Sequence, residues 1–221
     1  MRTGTKCLAT GAAILGSTWV ALRPRTLLWG ATDDEATRVL PGDDLVPGAQ
    51  YVTTRSLTIR ASAEAVFPWV VQLGQNRGGF YTYDMLENLF RLDIHSADRI
   101  HPEWQELQPG VDYVSLDPQQ SMKMTIVELE APQTMVLRTG APGEAPQEPG
   151  DFFKSEIAGT WAFVVRPLDA TTSRLIVRLR VAWRPTAAAR LAAWVLLEPA
   201  HFIMERGMML GIKKRVEAAG V

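Results

Sequence analysis

Polar and apolar positions alternate over residues 51–60, where Leu57 and Ile59 fall on one face of an expected strand and Thr54, Ser56 and Thr58 on the other. The period then lengthens. Ser62 offers an N-cap to a helix carrying Val66, Phe67, Val70 and Leu73 at helical spacing, and Gly74 suits its end. Pro68 falls inside that pattern and predicts a kink or a late start. Past the corner Gly78-Gly79, Thr82 caps a second expected helix whose apolar face is Met85, Leu86, Leu89 and Phe90. Residues 93–110 are polar and end in the turn Gln108-Pro109-Gly110.

Strands follow in series at 112–116, 123–129 and 134–139, parted by Asp117-Pro118 and Ala131-Pro132. A Gly- and Pro-rich loop covers 140–150. Residues 159–166 and 174–183 alternate more clearly. Leu175, Val177, Leu179 and Val181 face one way, and Arg174, Ile176, Arg178 and Arg180 the other. That predicts an antiparallel sheet dry on one face and wet on the other. Helix returns at 187–197, Glu198-Pro199 is expected to break or restart it, and residues 200–219 carry Ile203, Met204, Met208, Leu210 and Ile212 near helical spacing. Lys213, Lys214 and Arg215 sit in the last turns, where cations suit the helix dipole. Strand, two helices, a strand meander and a long helix make an α+β fold, a curved antiparallel sheet wrapped around the C-terminal helix with a hollow between them.

The chain before residue 51 divides in two. Residues 28–50 read as an irregular connector, with Thr32 capping a short helix and acids at 33–35 in its first turn. Residues 1–27 hold a hydrophobic segment, an uncharged run over 7–22 flanked by Arg2 and Lys6 before it and Arg23 and Arg25 after it. A single membrane anchor, a helix packed on the domain or a partner, and a cleaved signal all fit this run. The protein is accordingly expected at a membrane through that one segment, or in the cytoplasm. Residues 51–221 form the main domain.

Composition narrows the function classes. Apolar residues make up 47% and charged ones 21% of 221, enough to bury a core. The net charge of -1, with basic residues dispersed among acids, gives no footprint for nucleic acid. Cys7 is the single cysteine, so no intrachain disulfide forms. The stretch 74–79 is no phosphate loop, since it lacks the Lys-Ser/Thr ending, and no G-x-S-x-G or H-E-x-x-H pattern occurs. Nothing in the pattern specifies an oligomeric state.

Residues 58–69 (Thr-Ile-Arg-Ala-Ser-Ala-Glu-Ala-Val-Phe-Pro-Trp), the strand 159–163 and the strand 174–180 resemble the START/polyketide-cyclase (SRPBCC) superfamily with its helix-grip fold. The stretches 78–84, 93–100 and 198–206 are similar to a mainly bacterial subgroup of it. The resemblance runs from about residue 51 to the C-terminus and is stronger for fold than for function, because this fold hosts unrelated activities. It implies an internal cavity for an apolar small molecule that is lipid, sterol-like or polyketide-like, with the protein acting as carrier or sensor. A cyclase, dehydratase or hydrolase working in the same cavity is the alternative, and an interaction module with a filled core is the third.

Four groups of residues are candidates. Trp69, Phe80, Tyr81, Trp161, Phe163, Trp183, Met204 and Met208 are expected to line the pocket, Met being adaptable to varied ligands. Glu198, His201 and Glu205 share the start of the last helix, where a carboxylate four residues from an imidazole can orient it as a base, although capping and ion pairing account for them equally. Arg77, Tyr81, Tyr83 and Asp84 stand beside the glycine corner, where a phenol and a guanidinium can polarise a carbonyl, or simply cap and pair. For the enzyme reading the catalytic candidates are therefore Tyr81, His201 and Glu198. Asp93, His95, Asp98, His101 and Glu103 are metal-ligating types at a spacing that matches no metal motif and read as a solvated loop, so neither metal nor cofactor is expected.

Overall fold

The computed structural model of the chain describes residues 22–75, 77–82, 96–154 and 156–219. The hydrophobic run 7–22 up to residue 21, the expected helix after Thr82, and the candidates Tyr83, Asp84, Asp93 and His95 lie outside the described residues.

A short helix α1 (Asp33–Thr37) precedes strand β1 (Tyr51–Ile59) and helix α2 (Ala63–Val71). A meander follows: β2 (Tyr113–Ser115), β3 (Lys123–Glu130), β4 (Thr134–Thr139), β5 (Ala158–Asp169) and β6 (Thr172–Ala182). The chain closes with α3 (Ala187–Ala192), a π-helical turn (Ala193–Leu197) and α4 (Glu198–Ala219). The six strands form one antiparallel sheet in the order β1-β6-β5-β4-β3-β2. Its inner face packs on α2 and α4 through Leu57, Ile59, Phe163, Val165, Leu175, Val177, Ile126, Met135 and Leu137. This is the α+β architecture, an antiparallel sheet packed on the C-terminal helix, expected from the strand and helix periods.

Two prolines sit within helical paths. Helix α2 begins at Ala63, not late, and holds Pro68 inside it. The last α-helix restarts at Glu198, one of the two outcomes expected of Glu198-Pro199. The preceding π turn, being wider than α, relieves the contact between the proline ring and the carbonyl one turn back, and the helical path continues.

The outer face of the sheet is not wet. Residues 29–47 cross it as a strap, and the arginines that face outward from β6 hold it there. Thr32 and Glu35 form a capping box at the start of α1. The buried Glu35 carboxylate also takes Arg174 Nε at 2.7 Å and Nη2 at 2.8 Å. Arg178 bonds Asp43 at 2.6 Å, Thr54 Oγ1 at 2.9 Å and the carbonyls of Glu35, Ala36 and Arg38. Arg180 reaches the Val46 carbonyl. Alternation correctly separates the two faces, but charge on the outer one marks a polar contact and not solvent.

Helix α4 touches the corner after α2 at one close approach. Gly211 lies against Tyr81, whose φ of 55° is left-handed, and a Cβ at Gly211 would run into the Tyr81 backbone. Gly211→Ala is expected to destabilise the protein by about 2 kcal/mol despite the roughly 1 kcal/mol helix-propensity gain of alanine. Urea midpoints measure this, and a midpoint equal to or above wild type would show that the helix moves aside freely.

Candidate functional site

The period-two geometry of β1 places Tyr51, Thr53 and Arg55 on the same inner face as Leu57 and Ile59. Arg55 pairs in register with Val177, and Val177 with Phe163, so a guanidinium stands in the middle of an apolar sheet face. Its counter-charge comes from α4. Arg55 Nη1 donates to Glu205 Oε2 at 2.6 Å, and both side chains are fully buried. Trp161 Nε1 donates to the other oxygen, Glu205 Oε1, at 2.9 Å. Arg55 Nε donates to the Thr26 carbonyl at 2.8 Å, and the guanidinium lies over the Phe202 ring.

His201, one turn before Glu205, completes the cluster. Its Nε2 is 3.3 Å from Glu205 Oε1, while its Nδ1 is 3.1 Å from both Tyr51 Oη and Arg55 Nη1. With the ring protonated on Nε2 toward the carboxylate, Nδ1 offers a single lone pair to two donors. One of the two is then always available to another acceptor. Arg55 Nη2 is buried and makes no hydrogen bond among the described residues. A buried guanidinium N–H without an acceptor is unfavourable by about 1–3 kcal/mol, so an acceptor within reach of this nitrogen would stabilise the cluster.

Burial pushes the Glu205 carboxyl up, but the His201 ring and the Arg55 guanidinium outweigh it and hold the carboxyl below its ordinary value. Burial pushes the Tyr51 phenol up to about 12, against the pull of Arg55, so it is a hydrogen-bond donor throughout the neutral range. The cluster adjoins the aromatic wall through Trp161, which packs on Phe163 at 4.8 Å and faces Phe80 at 6.4 Å between ring centroids. Phe80 and Trp161 keep 7% and 9% exposure where Phe163 has none, so the wall is least closed at these two rings.

The three catalytic candidates are not brought together. Glu198 is buried under a two-pronged contact from Arg23, Nε at 2.7 Å and Nη2 at 2.9 Å, and makes no bond to His201. Tyr81 sits under Arg215 and edge-on to Trp69, where burial pushes its phenol up. Only His201 joins the polar cluster. Of the expected lining, Trp69, Phe80, Tyr81, Trp161, Phe163 and Met208 belong to one core. Trp183 belongs to a second, with Tyr51, Val181, Ala189 and Ala193. Met204 is an exposed residue on α4, one position off the face that meets the sheet. Arg77 spends its guanidinium on the Val71 and Tyr113 carbonyls. His101 pairs with Glu103 at 3.1 Å and stacks on Trp104, and no metal-ligating group of three exists among the described residues. Two hollows on the described surface lie elsewhere: one of about 430 Å³ along Leu116, Met122, Met124, Thr139 and Ile157, and one beside Pro185, Leu191 and Trp194.

Arg55 and Tyr51 carry the site and were not among the sequence candidates. Counting back in twos from Ile59 and Leu57 reaches both, and an arginine at a dry position is the signal that marks them.

No family model and no curated protein matches the sequence. Solved structures similar to the chain include a norcoclaurine synthase point mutant of Thalictrum flavum bound to a transition-state analogue, at 12% identity and TM-score 0.44, covering 77% of this chain and 96% of that one. The di-domain ARO/CYC StfQ of the steffimycin biosynthetic pathway is similar at 13% identity and TM-score 0.44, covering 77% and 52%. A Staphylococcus aureus protein of unknown function is similar at 11% identity and TM-score 0.45, covering 76% and 96%. At such identity and such scores the similarity carries nothing about chemistry.

Proposed function

We propose that this helix-grip protein binds a small molecule with an apolar body and an acceptor-bearing head, a fatty-acid-like, sterol-like or polyketide-like compound, as a carrier or sensor. The body lies against the aromatic wall of Phe80 and Trp161. The head accepts from Arg55 Nη2 and from whichever of Tyr51 Oη and Arg55 Nη1 is not held by His201. The observation that carries this reading is the buried, unpartnered Arg55 nitrogen at the edge of an aromatic wall. A buried donor of this kind fixes the orientation of a ligand whose affinity comes mainly from apolar contact. The His201–Glu205 pair orients the cluster, and neither Tyr81 nor Glu198 stands where it would act on the same ligand.

The reading is tested on the wild-type protein in two steps. Organic extraction and mass spectrometry of the purified protein is expected to return an apolar species with a carboxylate, carbonyl or phenolate head near one equivalent. Titration with a long-chain fatty acid, followed by tryptophan fluorescence, is expected to show binding roughly 10-fold or more tighter than its methyl ester or alcohol, the margin of a charge-assisted hydrogen bond. Equal affinities would remove the head-group role of Arg55. An empty protein with no thermal shift across an apolar library would leave the interaction module with a filled core.

A further inference from the structure

The helix that closes the domain carries large apolar side chains that the described residues leave exposed. From Ala187 to Ala219 it is long and apolar enough to cross a membrane, yet its second half is packed on the sheet and on α2. The first half is different. Leu191, Trp194, Val195, Leu196, Ile203 and Met204 are all exposed, between 42% and 68%. Soluble domains rarely gather so many large apolar side chains on one stretch of surface. The opposite side of the same turns, Ala189 and Ala193, is buried against Tyr51, Val181 and Trp183, so the helix is fixed with this face outward.

Three further observations say what covers it. Residues 184–197 contain Arg184 and Arg190 and no acid. The segment 22–28 lies alongside and adds Leu22, Arg25 and Leu28, all exposed, while Arg23 clamps Glu198 and lies over the Trp194 ring at 5.5 Å. Arg23 is also the residue at which the uncharged sequence run 7–22 ends, so that run joins the described fold on this face. An apolar helix face with a tryptophan, flanked by Arg25, Arg184 and Arg190, matches the interface of an anionic bilayer, where aromatic rings sit at head-group depth and arginines meet lipid phosphates.

We infer that the exposed face of residues 191–204 docks on an anionic lipid surface, with the helix lying in the plane of the interface and the Arg23 end of the N-terminal run beside it. The inference is independent of the ligand reading above. It differs from tethering by the run 7–22 alone, in which the domain hangs in solution and every face of it stays wet.

The full-length chain carrying Cys7→Ser, reconstituted in vesicles of phosphatidylcholine and phosphatidylserine at about 7:3, separates these cases. A polarity-sensitive fluorophore is attached through Leu196→Cys in one sample and through Ala170→Cys, an exposed turn residue between β5 and β6, in another. The label at 196 is expected to shift to the blue and to be quenched by spin-labelled lipid several-fold more than the label at 170, and to lose that quenching when phosphatidylserine is omitted or salt is raised. Equal weak lipid quenching at both sites, with both open to aqueous iodide, overturns the inference in favour of a simple tether. A label at 196 that is shielded in vesicle-free solution, together with a dimeric mass, overturns it in favour of a second copy of the chain.

Discussion

Glu205→Leu is expected to destabilise the protein by about 3–5 kcal/mol, because it leaves the fully buried Arg55 guanidinium without its counter-charge and Trp161 Nε1 without its acceptor. Arg55→Met in the wild-type background is expected to do similar damage from the other side. The double variant Arg55→Met/Glu205→Leu should recover a large part of the loss, since two apolar side chains of similar volume remove the uncompensated charge. Chemical denaturation of the three variants measures this. Single variants within 1 kcal/mol of wild type would mean that water or the His201 ring compensates either charge, and the cluster would then not be the closed ion pair described. The pH dependence follows from the same contacts. The folded Glu205 carboxyl lies below its unfolded value, so its contribution is complete above the unfolded value and is lost as pH falls through the folded one.

Arg178→Met should cost about 3 kcal/mol or more through a different route. It strips donors from Asp43, from Thr54 and from the carbonyls of Glu35, Ala36 and Arg38 at once, and so frees the middle of the strap from the outer sheet face. The exposure of Val136 and Ile176 beneath the strap adds the loss of apolar burial. Hydrogen exchange is expected to rise in residues 29–47 and in β5 and β6, with β2 and β3 unaffected. Unchanged exchange over 29–47 would sink the idea that the arginines hold the strap. Glu35 gives a matching acid profile. Burial opposes its charge, but Arg174 and the Thr32 amide bring its carboxyl from 4.5 down to about 2. Its contribution is therefore full above about 4.5 and disappears as pH falls toward 2. In Glu35→Gln that part of the acid sensitivity should be missing.

How far the molecule was legible depended on which range of interaction fixed each feature. The period of two over residues 51–60 and 174–183, the turn residues between the middle strands and the helical spacing after residue 187 depend on local backbone preference and on which positions avoid water, and those are written in the chain. The fold class and the order of its elements followed from them. The pairing of Glu198 with Arg23 joins positions 175 residues apart, and that of Arg55 with Glu205 joins positions 150 apart, so no local pattern could present either one. For the same reason Glu198 and His201, close in sequence and sharing a helix, were grouped as one candidate site and turned out to serve two separate contacts.

By itself the sequence determined the α+β architecture, the separation of the two sheet faces and the outline of an aromatic interior around Trp161 and Phe163, since each follows from spacing and side-chain polarity alone. The tertiary structure decided what those faces meet. It put a strap over the arginines of β6 and a buried carboxylate over Arg55, and it left Leu191, Val195 and Leu196 exposed among the described residues, because the choice between solvent, counter-charge and an outside partner is made only when distant segments close on one another.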